Sequence, residues 1–261
     1  MHLPARTLRE KIAGGRPVIG TFLVESASPG VVGVAANAGF DFLMIDGEHG
    51  NQNPREIELA IELSHRSGLC TIVRPPDGNR AVITRSLDAG AAGVIVPFCS
   101  TEEEVRQVVR ATKYMPMGQR GTHLFRGHTQ HQSVGDPAAF MAEANRDLLT
   151  LIQIELAAAV PLVEQFAAME GVDGLYVGPG DLSVDFGIPG QWDAPVMLDA
   201  IRATADACRR HGKIMGCHIG DIDKVEMLRR MGVQMFGYQC DVEIYSHAFR
   251  SVVARFAEAV R

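Results

Sequence analysis

Eight short runs rich in Val, Ile, Leu and Met recur along the chain, at 18 to 24, 41 to 46, 70 to 75, 93 to 98, 148 to 155, 174 to 179, 213 to 219 and 234 to 240. Each leads into a loop punctuated by Gly or Pro and then into a stretch whose apolar residues return at helical spacing. The runs are almost continuously apolar rather than alternating, which marks parallel strands covered on both faces. Helical patterns occupy 54 to 68, 79 to 90, 100 to 112, 157 to 171 and 195 to 212, with Asn79 and Ser100 expected as caps and Gly at the stops. Eight such alternations in 261 residues, 46% of them hydrophobic, predict one α/β domain spanning 1 to 261, a (β/α)8 barrel. An open doubly wound sheet fits less well, and no early GxGxxG turn argues for one.

A barrel gathers its chemistry where the strands end, on the C-terminal face. The second run ends in DFLMIDGEHG and so delivers Asp46, Glu48 and His49 to that face; the third delivers Arg74, the fifth Gln153 and Glu155, and the turn after the sixth Asp181. Any one of these has a plain explanation as a helix cap, an ion pair or a polar rim. Capping does not explain why a base, a cation and two oxygen ligands share one mouth. Two carboxylates brought together repel unless a positive charge lies between them, so Glu155 and Asp181 suggest a divalent cation with open positions: Mg, Mn or Co. Gln153, two residues before Glu155, shares its face. The amides of Gly180, Asp181 and Leu182 begin an expected helix and would favour a ligand carboxylate. With Arg74 neutralising an enolate oxygen and His49 moving a proton, the set suits carbon–carbon lyase chemistry. A Schiff base is disfavoured, because none of Lys11, Lys113, Lys213 and Lys224 ends a strand.

One segment breaks the rhythm. The stretch from 114 to 136 is long and aperiodic, and is expected to close over the site as a lid. Its His123, His128 and His131 match no common ligand spacing. The 25 basic and 31 acidic residues are interspersed, giving a net charge of -6 with no basic face, so neither nucleic acid nor a membrane surface is an expected partner. The opening residues lack an apolar leader core, and no run approaches the ~18 apolar residues of a membrane span, so a cytoplasmic location is expected. Five scattered cysteines with no CxxC pair read as reduced core thiols.

The ordered motifs IDGEH at 45 to 49, VRP at 73 to 75, RGTH at 120 to 123, QIE at 153 to 155 and VGPGDLS at 177 to 183 resemble those of the HpcH/HpaI aldolases, metal-dependent class II pyruvate aldolases. The resemblance runs from GRPVIGTFL to the last helix. It implies a modified barrel whose C-terminal helix is exchanged between subunits, in a hexamer built as a trimer of dimers. It also implies reversible retro-aldol cleavage of a 4-hydroxy-2-oxo acid to pyruvate and an aldehyde. Position by position, Glu155 and Asp181 match the metal ligands, His49 the general base paired with Asp46, Arg74 the 2-oxo acid contact, and Gln153 with Gly180 to Leu182 the pyruvate-holding region. Asp88 matches an acidic residue supplied from a neighbouring subunit. The chain departs from the family in FRGHTQHQ and in HIGDID after the seventh run, both expected to shape the aldehyde pocket. Two other readings stand beside this one: an acyl-CoA thioester lyase of the citrate-lyase-like group, which would need a basic lip for the CoA phosphates, and a non-catalytic oxo-acid and metal binder.

Overall fold

In the computed structural model, which describes residues 4–261, eight parallel strands close into a barrel in sequence order. They are β1 (Val18–Leu23), β2 (Phe42–Asp46), β3 (Cys70–Arg74), β4 (Gly93–Val96), β5 (Leu149–Ile154), β6 (Gly174–Val177), β7 (Ile214–Ile219) and β8 (Met235–Cys240). The helices are α1 (Pro4–Ala13), α2 (Pro29–Ala38), α3 (Pro54–Arg66), α4 (Arg80–Ala89), α5 (Glu102–Thr112), α6 (Pro137–Asp147), α7 (Val163–Ala168), α8 (Pro179–Asp185), α9 (Pro195–Arg210), α10 (Val225–Met231) and α11 (Asp241–Ala259). Closure comes from β8 returning to β1, with Val18 opposite Met235 and Gly20 opposite Gly237.

The period of two along each strand explains why the runs are apolar throughout. One set of positions, among them Phe42, Met44, Ile72, Leu151 and Tyr176, fills the barrel, and Ala5, Leu8 and Ile12 of α1 join it to plug the N-terminal end. The alternate set, such as Leu43, Ile45 and Val73, packs outward under the helices. Tyr176 spans the interior because its neighbours have no side chain: a Cβ at Gly216 would lie 2.3 Å from Tyr176 Cδ2, and one at Gly237 2.1 Å from its hydroxyl. Above this filled layer the inward positions turn polar, and there the site begins.

Local departures from the sequence reading have simple causes. The run 93 to 98 is a strand only as far as Val96, because Pro97 has no N–H for the ladder and Phe98 takes φ 58°. The cap of α5 is Thr101 rather than Ser100: Thr101 Oγ1 accepts from the Glu104 amide at 3.3 Å, and the Glu104 carboxylate accepts from the amide of Thr101 at 2.9 Å, a reciprocal capping box. The pattern at 157 to 171 is not one helix but a 3-10 turn over Ala157–Leu162, containing Pro161, followed by α7. The last helix, α11, is rooted by Asp241, whose carboxylate accepts from the amides of Val24 at 3.1 Å and Ser26 at 2.9 Å. Beyond that root Phe249, Val252, Val253 and Phe256 are each about two-thirds exposed.

Candidate active site

Register between β2 and β3 sets Asp46 directly opposite Arg74. The two form a buried bidentate pair, Arg74 Nε donating to Asp46 Oδ1 at 2.9 Å and Nη2 to Oδ2 at 2.5 Å. Asp46 also shapes the turn after its strand: Oδ1 accepts from the amides of Glu48 at 3.0 Å and His49 at 3.3 Å. Gly50 permits that turn, since a Cβ there would sit 2.1 Å from the Asp46 carbonyl oxygen. Glu48 is thereby folded back until Oε2 lies 3.0 Å from Arg74 Nη1, close but not aligned as a hydrogen bond. The His49 ring stands over it, 59% exposed, with Nε2 3.7 Å from Glu48 Oε1. The carboxylate beside the imidazole is therefore Glu48 and not Asp46, which touches His49 only through its backbone.

Across the mouth, Gln153 and Glu155 emerge from β5 on one face, and Gln153 Nε2 donates to Glu155 Oε2. Glu155 is buried completely, and its Oε1 accepts from the amide of Phe98 at 2.8 Å. Phe98 is a non-glycine residue at φ 58°, so a left-handed turn after β4 aims an N–H at this carboxylate. Space beside Oε2 is kept by Gly178, where a Cβ would lie 3.4 Å from Oε2 and 3.0 Å from Gln153 Nε2. Asp181 stands exposed in the first turn of α8 just beyond.

The charges of this mouth are unbalanced. Burial, with the negative charges of Glu48 and Asp181 adding to it, pushes the Glu155 carboxyl up to about 7 despite its bond from Phe98. Burial likewise raises Glu48, assisted by Asp46 and Asp181 and opposed by Arg74 and His49. Arg74 keeps its charge: burial works against it, but the hydrogen bond and charge of Asp46, with Glu48 and Glu155, outweigh that and raise its pKa. One guanidinium thus answers three carboxylates, Asp46, Glu48 and Glu155, and only the first two lie within 4 Å of it. Among the described residues no three His, Cys, Asp or Glu side chains converge as a closed metal cage. What the donor set fits is an oxygen-seeking divalent ion held by two carboxylates, with room for a ligand beside Gly178.

Comparison with known proteins places the whole barrel in one family. The model of the HpcH/HpaI aldolase/citrate lyase family matches residues 19–248. The chain belongs to that family. A family relative from Deinococcus radiodurans named hydroxypyruvate/pyruvate aldolase is 33% identical over 98% of this chain and 92% of its own. A 2-keto-3-deoxy-L-rhamnonate aldolase from Klebsiella pneumoniae is 32% identical, covering 93% of this chain and 90% of its own. Among solved structures, an HpcH/HpaI aldolase from Desulfitobacterium hafniense superposes with a TM-score of 0.88 at 31% identity, covering 97% of this chain and 96% of that one.

Not every expected residue lies at this family member's mouth. Leu182 is no open amide donor, since its N–H bonds the Gly178 carbonyl at 3.2 Å; the first-turn amides of Gly180 and Asp181 precede it. Asp88 is the penultimate residue of α4, a 10-residue helix that starts beside the mouth and runs away from it, which puts Asp88 about a helix length, ~15 Å, from its own site. The 114 to 136 segment lies there too and is not a lid on its own barrel. Arg120 Nη2 donates to Asp88 Oδ1 at 2.8 Å, His128 Nδ1 lies 3.2 Å from the Asp88 carbonyl oxygen, and Arg126 pairs with Glu58 at 2.8 Å. As for the lysines, Lys11 pairs with Asp41 at 2.7 Å, and Lys113 and Lys213 lie at the N-terminal rim. Lys224, on the C-terminal side, is held protonated by its hydrogen bond to Asp193 at 2.6 Å, which raises its pKa. The Phe98 amide and the placement of Glu48 were invisible in the sequence, because both depend on backbone turns.

Proposed function

We propose that this protein catalyses reversible retro-aldol cleavage of 4-hydroxy-2-oxo acids to pyruvate and an aldehyde, as a metal-dependent class II aldolase. The observation that carries the reading is the fully buried Glu155, short of positive charge, at one mouth with the Arg74 ion pair. Glu155 and Asp181 would hold the divalent ion, Mg, Mn or Co. When bound, that ion supplies Lewis-acid polarisation of the 2-oxo group and takes up negative charge as it develops. Arg74, fixed on two sides by Asp46 and Glu48, is placed to bind the oxo acid and steady its enolate oxygen. Gln153 and the amides of Gly180 and Asp181 would orient the carboxylate. His49, exposed to the mouth and flanked by Glu48, takes the C4 hydroxyl proton as the C3–C4 bond breaks. The bonding electrons pass into the oxo acid as its enolate, the aldehyde leaves, and protonation at C3 gives pyruvate. The positions of the four lysines support this route over an imine.

The test is solvent exchange of the pyruvate methyl protons, followed by NMR with Mg or Mn, after chelation and after metal return. Exchange and cleavage should vanish with chelator and recover, and His49→Ala should slow both by about 10²- to 10⁴-fold. Undiminished rates in His49→Ala would move the base elsewhere. Tight oxalate binding without any exchange would favour the non-catalytic binder. Against the acyl-CoA reading, the cations of the mouth are already paired, Arg74 with Asp46 and Lys224 with Asp193.

The two-thirds exposed apolar face of α11 supports exchange of that helix with a second copy, in a hexamer built as a trimer of dimers. Asp88, far from its own mouth and bonded there to Arg120, would then serve a neighbour's. Light scattering should give the mass of six chains, and a monomer at micromolar concentration would overturn this part. No helix among the described residues is long and apolar enough to cross a membrane. Five unpaired cysteines, four of them buried, support a reducing, cytoplasmic setting.

A further inference from the structure

Interspersed along the sequence, the cations of this chain are not evenly spread in space. At the end of the barrel remote from the mouth, where the strands begin, a cavity of about 560 Å³ opens between the α1–β1 turn, the α9–β7 turn and the end of α10. Its lining includes Arg9, Arg16, Arg209, Lys213 and Arg229 and no Asp or Glu, in a chain whose net charge is -6. The floor is apolar, with Ile12, Ile214 and Val233 all buried. Five like charges around one hollow repel one another, and their convergence needs an explanation.

Helix ends explain part of it. Arg209 and Arg229 lie in the last turns of α9 and α10, where a cation complements the helix dipole. Each also pairs with an acid one turn back, Asp206 at 2.8 Å and Glu226 at 2.9 Å, but such exposed pairs hold weakly. Lys213 donates to the Val172 carbonyl at 2.8 Å and has no carboxylate partner among the described residues. Arg9 meets Asp173 at 2.7 Å, yet that carboxylate is shared with the buried Lys113, also at 2.7 Å. Arg16 is exposed, and no hydrogen bond or ion pair engages its side chain among the described residues. Its backbone is nevertheless fixed: α1 ends in a Schellman turn, with Gly15 at φ 76° and the Arg16 amide on the Lys11 carbonyl at 3.0 Å, and Pro17 follows. A stiff turn thus presents an unpaired arginine at a hollow that already holds four other cations.

We propose that this cavity binds a small organic molecule carrying two phosphate groups. The cations stand on three separate walls, so one compact anion would reach only some of them. Two phosphates on a carbon framework can engage opposite walls while the framework covers the apolar floor. The volume suits such a ligand, since small-molecule sites run to about 300–1,000 Å³. Each phosphate brings between about 1.5 and 2 negative charges near neutral pH, and guanidinium forks match its oxygens. No lining residue belongs to the mouth, to α11 or to the segment from 114 to 136. The assignment is therefore independent of the aldolase reading and uses none of the surfaces proposed for exchange between subunits.

The test is isothermal titration calorimetry on the metal-loaded full chain at low ionic strength, with oxalate in every titration to occupy the mouth. Glucose 1,6-bisphosphate should bind with a Kd of about 100 µM or below, and glucose 6-phosphate about tenfold or more weakly. Arg16→Glu and Arg229→Glu should each weaken the bisphosphate by about tenfold or more, because each turns an attractive wall repulsive. Arg85→Glu, an equal charge reversal at an exposed position of α4, should leave its affinity unchanged. Should either cavity variant not fold, Arg16→Gln and Lys213→Gln carry the same comparison. No binding up to millimolar bisphosphate, an affinity unchanged in either cavity variant, or an equal loss in Arg85→Glu would overturn the site. Tricarballylate binding as tightly as the bisphosphate would overturn the phosphate assignment.

Discussion

Glu155→Ala should lower kcat/KM for cleavage by on the order of 10³-fold and abolish high-affinity binding of Mn. The expectation follows from where the carboxylate sits. Glu155 is fully buried and is fixed by the Phe98 amide at 2.8 Å and by Gln153, and in the proposed reading it would share a divalent ion with Asp181. No neighbouring carboxylate can swing into its place, because Asp46 is locked to Arg74 and Glu48 is folded against it. The same residue gives the metal-free protein a pH signature. A carboxyl raised from 4.5 to about 7 in the folded state binds a proton more tightly there than in the unfolded chain. The metal-free protein should therefore lose stability as pH rises from about 4.5 through about 7, and Glu155→Gln should flatten that slope. Metal return should reverse the loss at pH 8, and below about pH 7 protons should compete with the ion, weakening its affinity by up to about tenfold per unit. Thermal melts with and without chelator across this range check each step. A metal-free protein whose stability rises across it would contradict the placement of Glu155.

How much of this was legible beforehand depends on which physical rule fixed each residue. The barrel was readable because strand period and burial on both faces write themselves into composition: every one of the eight runs holds a strand. Asp46, Arg74, Gln153 and Glu155 were readable for the same reason, being inward positions at strand ends. What failed was anything decided by a turn. Asp46 accepts amide hydrogens from its own turn and so turns Glu48, rather than itself, towards the His49 ring. Phe98 follows a proline and adopts a left-handed conformation that no propensity for phenylalanine would suggest. The segment 114 to 136 showed its irregularity but not its destination, which depends on Arg120 and His128 meeting the far end of α4.

Arg74→Met should disable the site and destabilise the protein together, and the two effects can be separated. In the structure Asp46 is 1% exposed and both its oxygens are bound by the guanidinium, with Glu48 Oε2 a further 3.0 Å away. Removing the cation strands two buried carboxylates, and breaking a buried ion pair of this kind costs about 3–5 kcal/mol. Arg74→Lys should recover little, since an ammonium cannot hold Asp46 with two parallel hydrogen bonds while facing Glu48. Adding Asp46→Asn to Arg74→Met removes the worse of the two stranded charges, so the double variant should regain a large part of the lost stability in urea melts. It should regain no cleavage, because the group proposed to steady the enolate oxygen is still missing. A double variant that recovered turnover along with stability would show that Arg74 acts only by holding the turn that carries Glu48 and His49. The opposite result, full stability in Arg74→Met itself, would mean that the buried pair does not form.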